Sequence, residues 1–272
     1  MNNTLNQTIG FIGGGNMAQA IIRGLLNAGH PANRIAVADP GDASREAVAA
    51  INSEMLISTD NKAVAEASDV LVLATKPQYI TEVATEISDS KPGLVISIAA
   101  GITLDAIESA LDGNTAVVRI MPNTPALVGK GMAGLVGNSA VAADQKAIAD
   151  YIVDATGEAV WLDDECMMDA VTAISGSGPA YFFLIMELLT EGARSFGFSD
   201  EVAQKLAVQT ALGAATLADA EGIDPEELRR RVTSPNGTTE AACNSLLDSG
   251  IKDTFQKALE AARDRSIELG KG

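Results

Sequence analysis

Short apolar runs alternate with segments of helical spacing through the first 160 residues of the chain. Ile9-Gly-Phe-Ile12 is apolar and closes on Gly13-Gly14-Gly15. Residues 16–26 then carry apolar positions at helical spacing, so the start reads as strand, glycine turn and helix. Further strands are predicted over residues 34–38, 55–58, 69–74, 94–98 and 116–120, with later short ones over 131–136 and 159–162. Helices are predicted between them over 44–51, 63–67, 80–87, 104–111 and 142–155, the second capped by Asp60. The runs 69–74, 94–98 and 116–120 are continuous rather than alternating, as expected of parallel strands covered on both faces.

After Asp163-Asp164 the texture changes. No further strand is predicted, and helical patterns run over residues 167–174, 179–196, 200–221, 225–232, 238–248 and 254–269. Ser199 and Asp224 stand where N-caps belong, and Pro225 suits a first helical position. The prediction is therefore an α/β Rossmann-type doubly wound sheet domain over residues 1–164, followed by an all-α domain over 165–272. The helix 200–221 is apolar around most of its circumference, which predicts burial and, in so small a domain, cover by a second copy of the chain.

Composition narrows the chemistry. The 272 residues carry a formal net charge of −17, which argues against nucleic acid or an anionic membrane as partner. An anionic ligand would have to be held by local devices such as helix N-termini. Cys166 and Cys243 have no metal or CxxC spacing and read as free thiols of a cytoplasmic protein. The polar first eight residues predict no leader, and no membrane span is predicted. His30 is the single histidine and follows Gly29 near a helix end, so a capping or surface role is expected. With one histidine, neither a histidine metal site nor a Ser-His-Asp triad is expected; no metal is assigned.

Candidate ligand-binding residues gather at predicted strand ends. Gly13-x-Gly15-x-x-Ala18 has the spacing of a dinucleotide turn, with Gly15 admitting a pyrophosphate and Asn16 and Met17 opening the helix. Asp39 ends the second strand, where an acid either binds a ribose hydroxyl or shapes the Pro40-Gly41 turn; Arg45 is the nearest cation for a 2′-phosphate. Thr75-Lys76-Pro77 ends the fourth strand, where Lys76 either faces a ligand or is a solvated surface lysine. Ala99-Ala100-Gly101 ends the fifth, leaving room for a nicotinamide ring or for chain packing, and Asn123 lies between Pro122 and Pro125 after the sixth. In the helical region, Ser175-Gly-Ser-Gly-Pro-Ala-Tyr181 opens a long predicted helix and Ser234-Pro-Asn-Gly-Thr-Thr239 precedes another; each singly reads as an ordinary N-cap, and the two together as receptors for a carboxylate.

Together these motifs resemble the Δ1-pyrroline-5-carboxylate reductases. The resemblance covers nearly the whole chain, through Gly10-Phe-Ile-Gly-Gly-Gly-Asn-Met-Ala18, Lys76-Pro77, Ser97-Ile-Ala-Ala-Gly101, Arg119-x-Met-Pro-Asn-Thr-Pro125, the Ser175–Tyr181 motif and Arg231-x-x-Ser-Pro-x-Gly-Thr-Thr239. It implies reduction of pyrroline-5-carboxylate to proline with NADPH, NADH as alternative. It also implies a helical dimerisation domain, a homodimer or a ring of dimers, and an active site at the subunit interface. By the same resemblance Ser234, Gly237, Thr238 and Thr239 hold the substrate, with the Thr239 hydroxyl near the ring nitrogen. The family often has Gly where Asn236 and Ala242 stand; Asn tolerates a left-handed backbone, and Ala suits a helix interior. Hydroxyacid dehydrogenases of similar architecture would want a lysine on the long helix after Gly178, where none stands before Lys205. A non-catalytic NAD(P) sensor would not need the two carboxylate receptors.

Overall fold

The computed structural model describes residues 6–111 and 113–270. The chain divides into two compact units, residues 1–177 with 262–272, and residues 178–261.

The first unit is built on an eight-stranded sheet in the order β3-β2-β1-β4-β5-β6-β7-β8. The strands are β1 (Ile9–Ile12), β2 (Ile35–Ala38), β3 (Leu56–Ser58), β4 (Val70–Leu73), β5 (Leu94–Ser97), β6 (Val117–Met121), β7 (Gly131–Gly137) and β8 (Gly157–Trp161). Every pairing is parallel except β6 with β7. Helices α1 (Asn16–Asn27), α2 (Asp42–Ala49), α3 (Asn61–Glu66), α4 (Ile80–Glu86), α5 (Leu104–Ala110), α6 (Ala143–Asp154) and α7 (Met168–Val171) complete the unit.

The continuous apolar runs are explained by two cores. Phe11, Val37, Val72, Ile96 and Val118 pack with Ile22 and Leu25 of α1 and Ile152 of α6. Their strand neighbours Ala36, Leu71, Leu73, Val95 and Val117 pack with Val64 of α3, Ile80 of α4, Ile107 of α5 and Met168 of α7. Because side chains alternate across a pleat, a strand buried on both faces has no polar position to spare.

Residues 165–177 stay with this unit, beyond the boundary expected near 164. Met168 and Ala173 are buried, and a side chain added at Gly134 of β7 would meet Val171 at 2.8 Å. The chain after Ala262 also belongs here.

His30 is buried, not on the surface. Its backbone N–H caps α1 on Leu25, beside Gly29 on Leu26, while its Nδ1 lies 3.2 Å from the Tyr151 hydroxyl. Burial holds the imidazole below its ordinary pKa.

The second unit contains α8 (Gly178–Ser195), α9 (Asp200–Glu221), α10 (Pro225–Arg231), α11 (Thr238–Asp248) and the first turns of α12 (Ile251–Leu269). The expected caps are present: Ser199 accepts from the Val202 N–H and Asp224 from the Glu226 N–H. The apolar helix α9 buries only Ala203 and Ala207 within this chain. Phe182, Phe183, Leu188, Leu206, Leu212 and Leu246 are exposed. The helical stretch Glu165–Ser195 is long and apolar enough, by length and composition, to cross a membrane, and 11% of its most apolar window is buried within the chain.

Candidate functional site

Two clusters of site residues emerge, one in each unit. In the first unit, the turn between β1 and α1 is fixed by hydrogen bonds. Gly13 N–H donates to the Ala38 carbonyl at 2.7 Å, and the Ala74 N–H donates to Ile12 at 2.8 Å. Gly13 has φ of +103°, and an added Cβ would stand 2.6 Å from the Ala74 carbonyl oxygen. No other residue fits there without moving β4.

Gly15 differs. Its backbone is extended, and a Cβ added to it would meet nothing within 4 Å. Gly15 is the N-cap of α1 and has no side chain to satisfy the first turn. The first helical bond runs from Gln19 N–H to the Gly15 carbonyl, so the N–H groups of Asn16, Met17 and Ala18 lie ahead of the ladder. An open cradle facing free helix N–H groups suits a pyrophosphate. Thr75, at the end of β4, has a buried hydroxyl without a hydrogen-bond partner, and its backbone nitrogen lies 3.0 Å from a Cβ added at Gly13. A buried hydroxyl of this kind calls for a polar ligand. The cradle and this orphaned hydroxyl both fit a dinucleotide.

Asp39 settles into its turn. One carboxylate oxygen accepts the Gly14 N–H and the other the Gly41 N–H, each at 2.8 Å. It thus ties the end of β2 to the glycine turn. Arg45 on α2 donates to the Asp39 carbonyl at 2.7 Å and pairs with the Asp42 carboxylate. Lys76 and Pro77 are exposed at the start of a 3₁₀ turn. Ala99 is buried, Ala100 exposed, and Gly101 partly covered at the end of β5.

Asn123 is buried and both ends of its amide are engaged. Its Nδ2 donates to the Ser175 carbonyl and its Oδ1 accepts the Met132 N–H, each at 2.9 Å. The side chain therefore acts as a tie among the loop after β6, the start of β7 and residue 175.

The Ser175 motif is not an open helix start. Thr172–Gly176 form a π-helical turn directly after α7, and Ser177 keeps helical dihedrals with its N–H on the Thr172 carbonyl. Only one of the two expected carboxylate receptors is thus a helix N-terminus of the anticipated kind.

That receptor lies in the second unit. Ser234-Pro-Asn-Gly237 forms a tight turn closed by Gly237 N–H on the Ser234 carbonyl at 3.0 Å. Asn236 has φ of +59°, the left-handed conformation expected of it in place of Gly. Glu240 reaches back to accept the Asn236 N–H at 2.7 Å, which anchors the turn to the helix. Gly237 is the N-cap of α11 and offers no side chain. The first ladder bond runs from Ala241 to Gly237, leaving the N–H groups of Thr238 and Thr239 ahead of it. Ser234, Thr238 and Thr239 are exposed, so their hydroxyls are available to a ligand.

Two polar ties were missed from the sequence. Arg119, buried in β6, pairs with Glu165, which also accepts the Leu104 N–H at 2.8 Å. Ser266 donates to Asp169 at 2.6 Å. An arginine within the apolar run 116–120 signals a buried partner but not its identity. Among the described residues no group of three or more His, Cys, Asp or Glu side chains could hold a metal ion.

Known proteins are similar to this chain in sequence and fold. A family profile described as "Pyrroline-5-carboxylate reductase dimerisation" matches residues 165–269, and one described as "NADP oxidoreductase coenzyme F420-dependent" matches residues 8–101. A pyrroline-5-carboxylate reductase of Pseudomonas aeruginosa is 48% identical over 96% of this chain and 96% of its own. A solved reductase of the same name from Coxiella burnetii superposes with a TM-score of 0.93 at 41% identity, covering 98% of this chain and 99% of that one. The Plasmodium falciparum pyrroline carboxylate reductase, solved with NADP bound, gives a TM-score of 0.85 at 30% identity, covering 97% and 98%.

Proposed function

The chain belongs to the pyrroline-5-carboxylate reductase family, and from that premise we propose how its residues divide the work of reducing L-1-pyrroline-5-carboxylate to L-proline. The first unit binds NADP(H), and the second binds the substrate. The observation that carries this reading is the Gly15 cradle, a helix N-terminus with neither a side-chain cap nor a neighbour within 4 Å of an added Cβ.

Reduced nicotinamide supplies the hydride when bound. The N–H groups of Asn16 and Met17 hold the pyrophosphate, with Gly13 setting the turn. Thr75 and Lys76 contribute polar contacts at the end of β4. The small residues Ala99, Ala100 and Gly101 leave room for the nicotinamide ring. Asn123 belongs to this set as a positioning residue, because its amide is engaged in holding the neighbouring loop. Asp39 has the same character toward Gly14, and Arg45 on α2 is the candidate cation for a 2′-phosphate. The family profile described as an NADP oxidoreductase and the relative solved with NADP bound support NADPH as the preferred donor, with NADH accepted.

In the second unit the backbone N–H groups after Gly237 receive the substrate carboxylate, assisted by the Ser234 and Thr238 hydroxyls. The carbon of a cyclic imine accepts hydride while its nitrogen gains electron density. The Thr239 hydroxyl donates a hydrogen bond to that nitrogen, stabilising the developing charge, and a proton taken up from solvent completes the amine of proline.

The exposed apolar faces of α8 and α9 suit cover by a second copy, in keeping with the dimerisation profile over residues 165–269. A homodimer is the minimal assembly, and a higher homo-oligomer such as a ring of dimers is the alternative. The acidic charge disfavours nucleic acid as a partner. A cytoplasmic setting agrees with the free thiols of Cys166 and Cys243.

The test is loss of NADPH absorbance on adding pyrroline-5-carboxylate, with proline identified as product and NADH run in parallel. No turnover with either donor would defeat the reading. Light scattering at the mass of one 28.0 kDa chain would defeat the assembly.

A further inference from the structure

The loop after β5 stands beside a cavity of about 390 Å³ lined by Gly101, Thr103, Arg119, Glu165, Asp169 and Gly270, among others. A loop over open space is held by discrete anchors rather than by close packing. One anchor is Glu165, which accepts the Leu104 N–H at the start of α5 while paired with Arg119. The other is the end of α12. A Cβ added at Gly101 would meet the Leu269 carbonyl carbon and oxygen at 3.6 Å. One added at Gly270 would meet the Gly101 carbonyl oxygen at 3.3 Å. Gly101 has φ of +79°, so the two segments approach backbone to backbone at glycines.

One side chain that fastens the end of α12 is Ser266. Ser266 is the buried residue of that helix, and its hydroxyl donates to an Asp169 carboxylate oxygen on α7 at 2.6 Å.

We propose that Ser266 and Asp169 form a latch that seats the end of α12 against Gly101, making Ser266 a positioning residue for hydride transfer. The proposal rests on the reading that Ala99, Ala100 and Gly101 border the nicotinamide. Releasing the latch lets the loop drift from the ring while the pyrophosphate cradle at Gly15 stays intact. Binding is then spared and the chemical step suffers, since small misplacements at the reacting atoms cost rate steeply.

The test uses the full-length enzyme and four variants, Ser266→Ala, Ser266→Thr, Asp169→Asn and Ala100→Leu. For each, kcat, the primary isotope effect with 4-deuterated NADPH, NADPH affinity and Tm are measured. Ser266→Ala is expected to lower kcat by about tenfold and raise the isotope effect, with NADPH affinity within about twofold of the parent. Ser266→Thr, which keeps the hydroxyl, is expected to restore most of kcat. Asp169→Asn keeps an acceptor and is expected to lose about two- to threefold, which preserves the test if Ser266→Ala does not fold. Ala100→Leu is expected to weaken NADPH binding by crowding the ring. A lower Tm for Ser266→Ala with kcat and isotope effect unchanged would overturn the latch, and so would a threonine variant as impaired as alanine. If Ala100→Leu weakens NADPH and Ser266→Ala changes nothing, the latch alone fails. If Ala100→Leu leaves cofactor affinity untouched, the loop reading fails and takes the latch with it.

Discussion

Gly13 and Gly15 lie two residues apart in one motif, and the structure assigns them opposite sensitivities. At Gly13 the backbone has φ of +103° and an added Cβ would overlap the Ala74 carbonyl at 2.6 Å. Holding alanine in that backbone region costs about 1–3 kcal/mol. Relieving the overlap means moving β4, at about 1–3 kcal/mol more. A total near 4 kcal/mol corresponds to a fall in Tm of about 8–16 °C for a domain of this size. At Gly15 the backbone is extended with φ of −71° and nothing stands within 4 Å of an added Cβ. Exchanging Gly for Val at this N-cap costs about 1 kcal/mol. The valine methyl groups would instead stand before the free N–H groups of α1. Losing one or two bonds to a charged phosphate, at about 1.5–3 kcal/mol each, weakens binding by roughly ten- to ten-thousandfold.

Gly13→Ala should therefore lower Tm strongly, and Gly15→Val should keep Tm within about 4 °C while losing NADPH. Thermal unfolding and fluorescence titration with NADPH, run on both variants, separate the two. Parental NADPH affinity in Gly15→Val would remove this turn as the pyrophosphate site. Parental Tm in Gly13→Ala would mean that the turn relaxes at little cost and that the close approach to Ala74 is not a constraint.

Thr239→Val keeps the shape of an exposed side chain and removes the proposed donor, so kcat/KM for the imine should fall by roughly 10²–10³ with NADPH affinity unchanged; near-parental turnover would shift the role to Thr238. Arg45→Ala should lower kcat/KM for NADPH about tenfold more than for NADH, the loss of one charge-assisted bond, and equal losses would place Arg45 away from the 2′-phosphate. Burial holds the His30 pKa below its ordinary value of 6.5, so the unfolded chain takes up the proton first as pH falls. The stability linked to His30 is complete above about pH 6.5 and declines as pH drops through the folded-state value. Urea midpoints should show that slope in the parent and a flatter one in His30→Phe; equal slopes would acquit the imidazole.

The sheet was legible because strands covered on both faces must be apolar throughout. All eight predicted strands formed, with ends shifted by one or two residues. Helix caps were legible for a local reason: Asp60, Ser199 and Asp224 each bond an N–H two or three residues ahead. The reversal of β7 was not drawn from the sequence, although a signal existed. Nine residues separate Met121 from Gly131, too few for the crossover that a parallel partner needs. The burial of His30 had no such signal, since it depends on Tyr151, 121 positions away.

The candidate site divides along the same line. The backbone conformation at the glycine-rich motifs was legible, because a glycine turn or an uncapped helix start is local. Gly15 and the Gly237–Thr239 start stand where their motifs put them. The hydrogen-bond partners of polar side chains were not legible, because they come from segments distant in sequence. Asp39 and Asn123 sit at strand ends that face ligands in such folds, yet each has carboxylate or amide atoms committed to backbone groups of neighbouring loops. The π-turn at Thr172–Gly176 makes the same point for the main chain. Its residues have the pattern of a helix start, and one extra residue in the ladder removes the free N–H groups that the pattern promised. If ties such as Asp39, Asn123, Glu165 and Ser266 set the positions of the ligand-facing loops, conservative changes there should alter turnover before they alter binding. Changes at Gly15 should do the reverse.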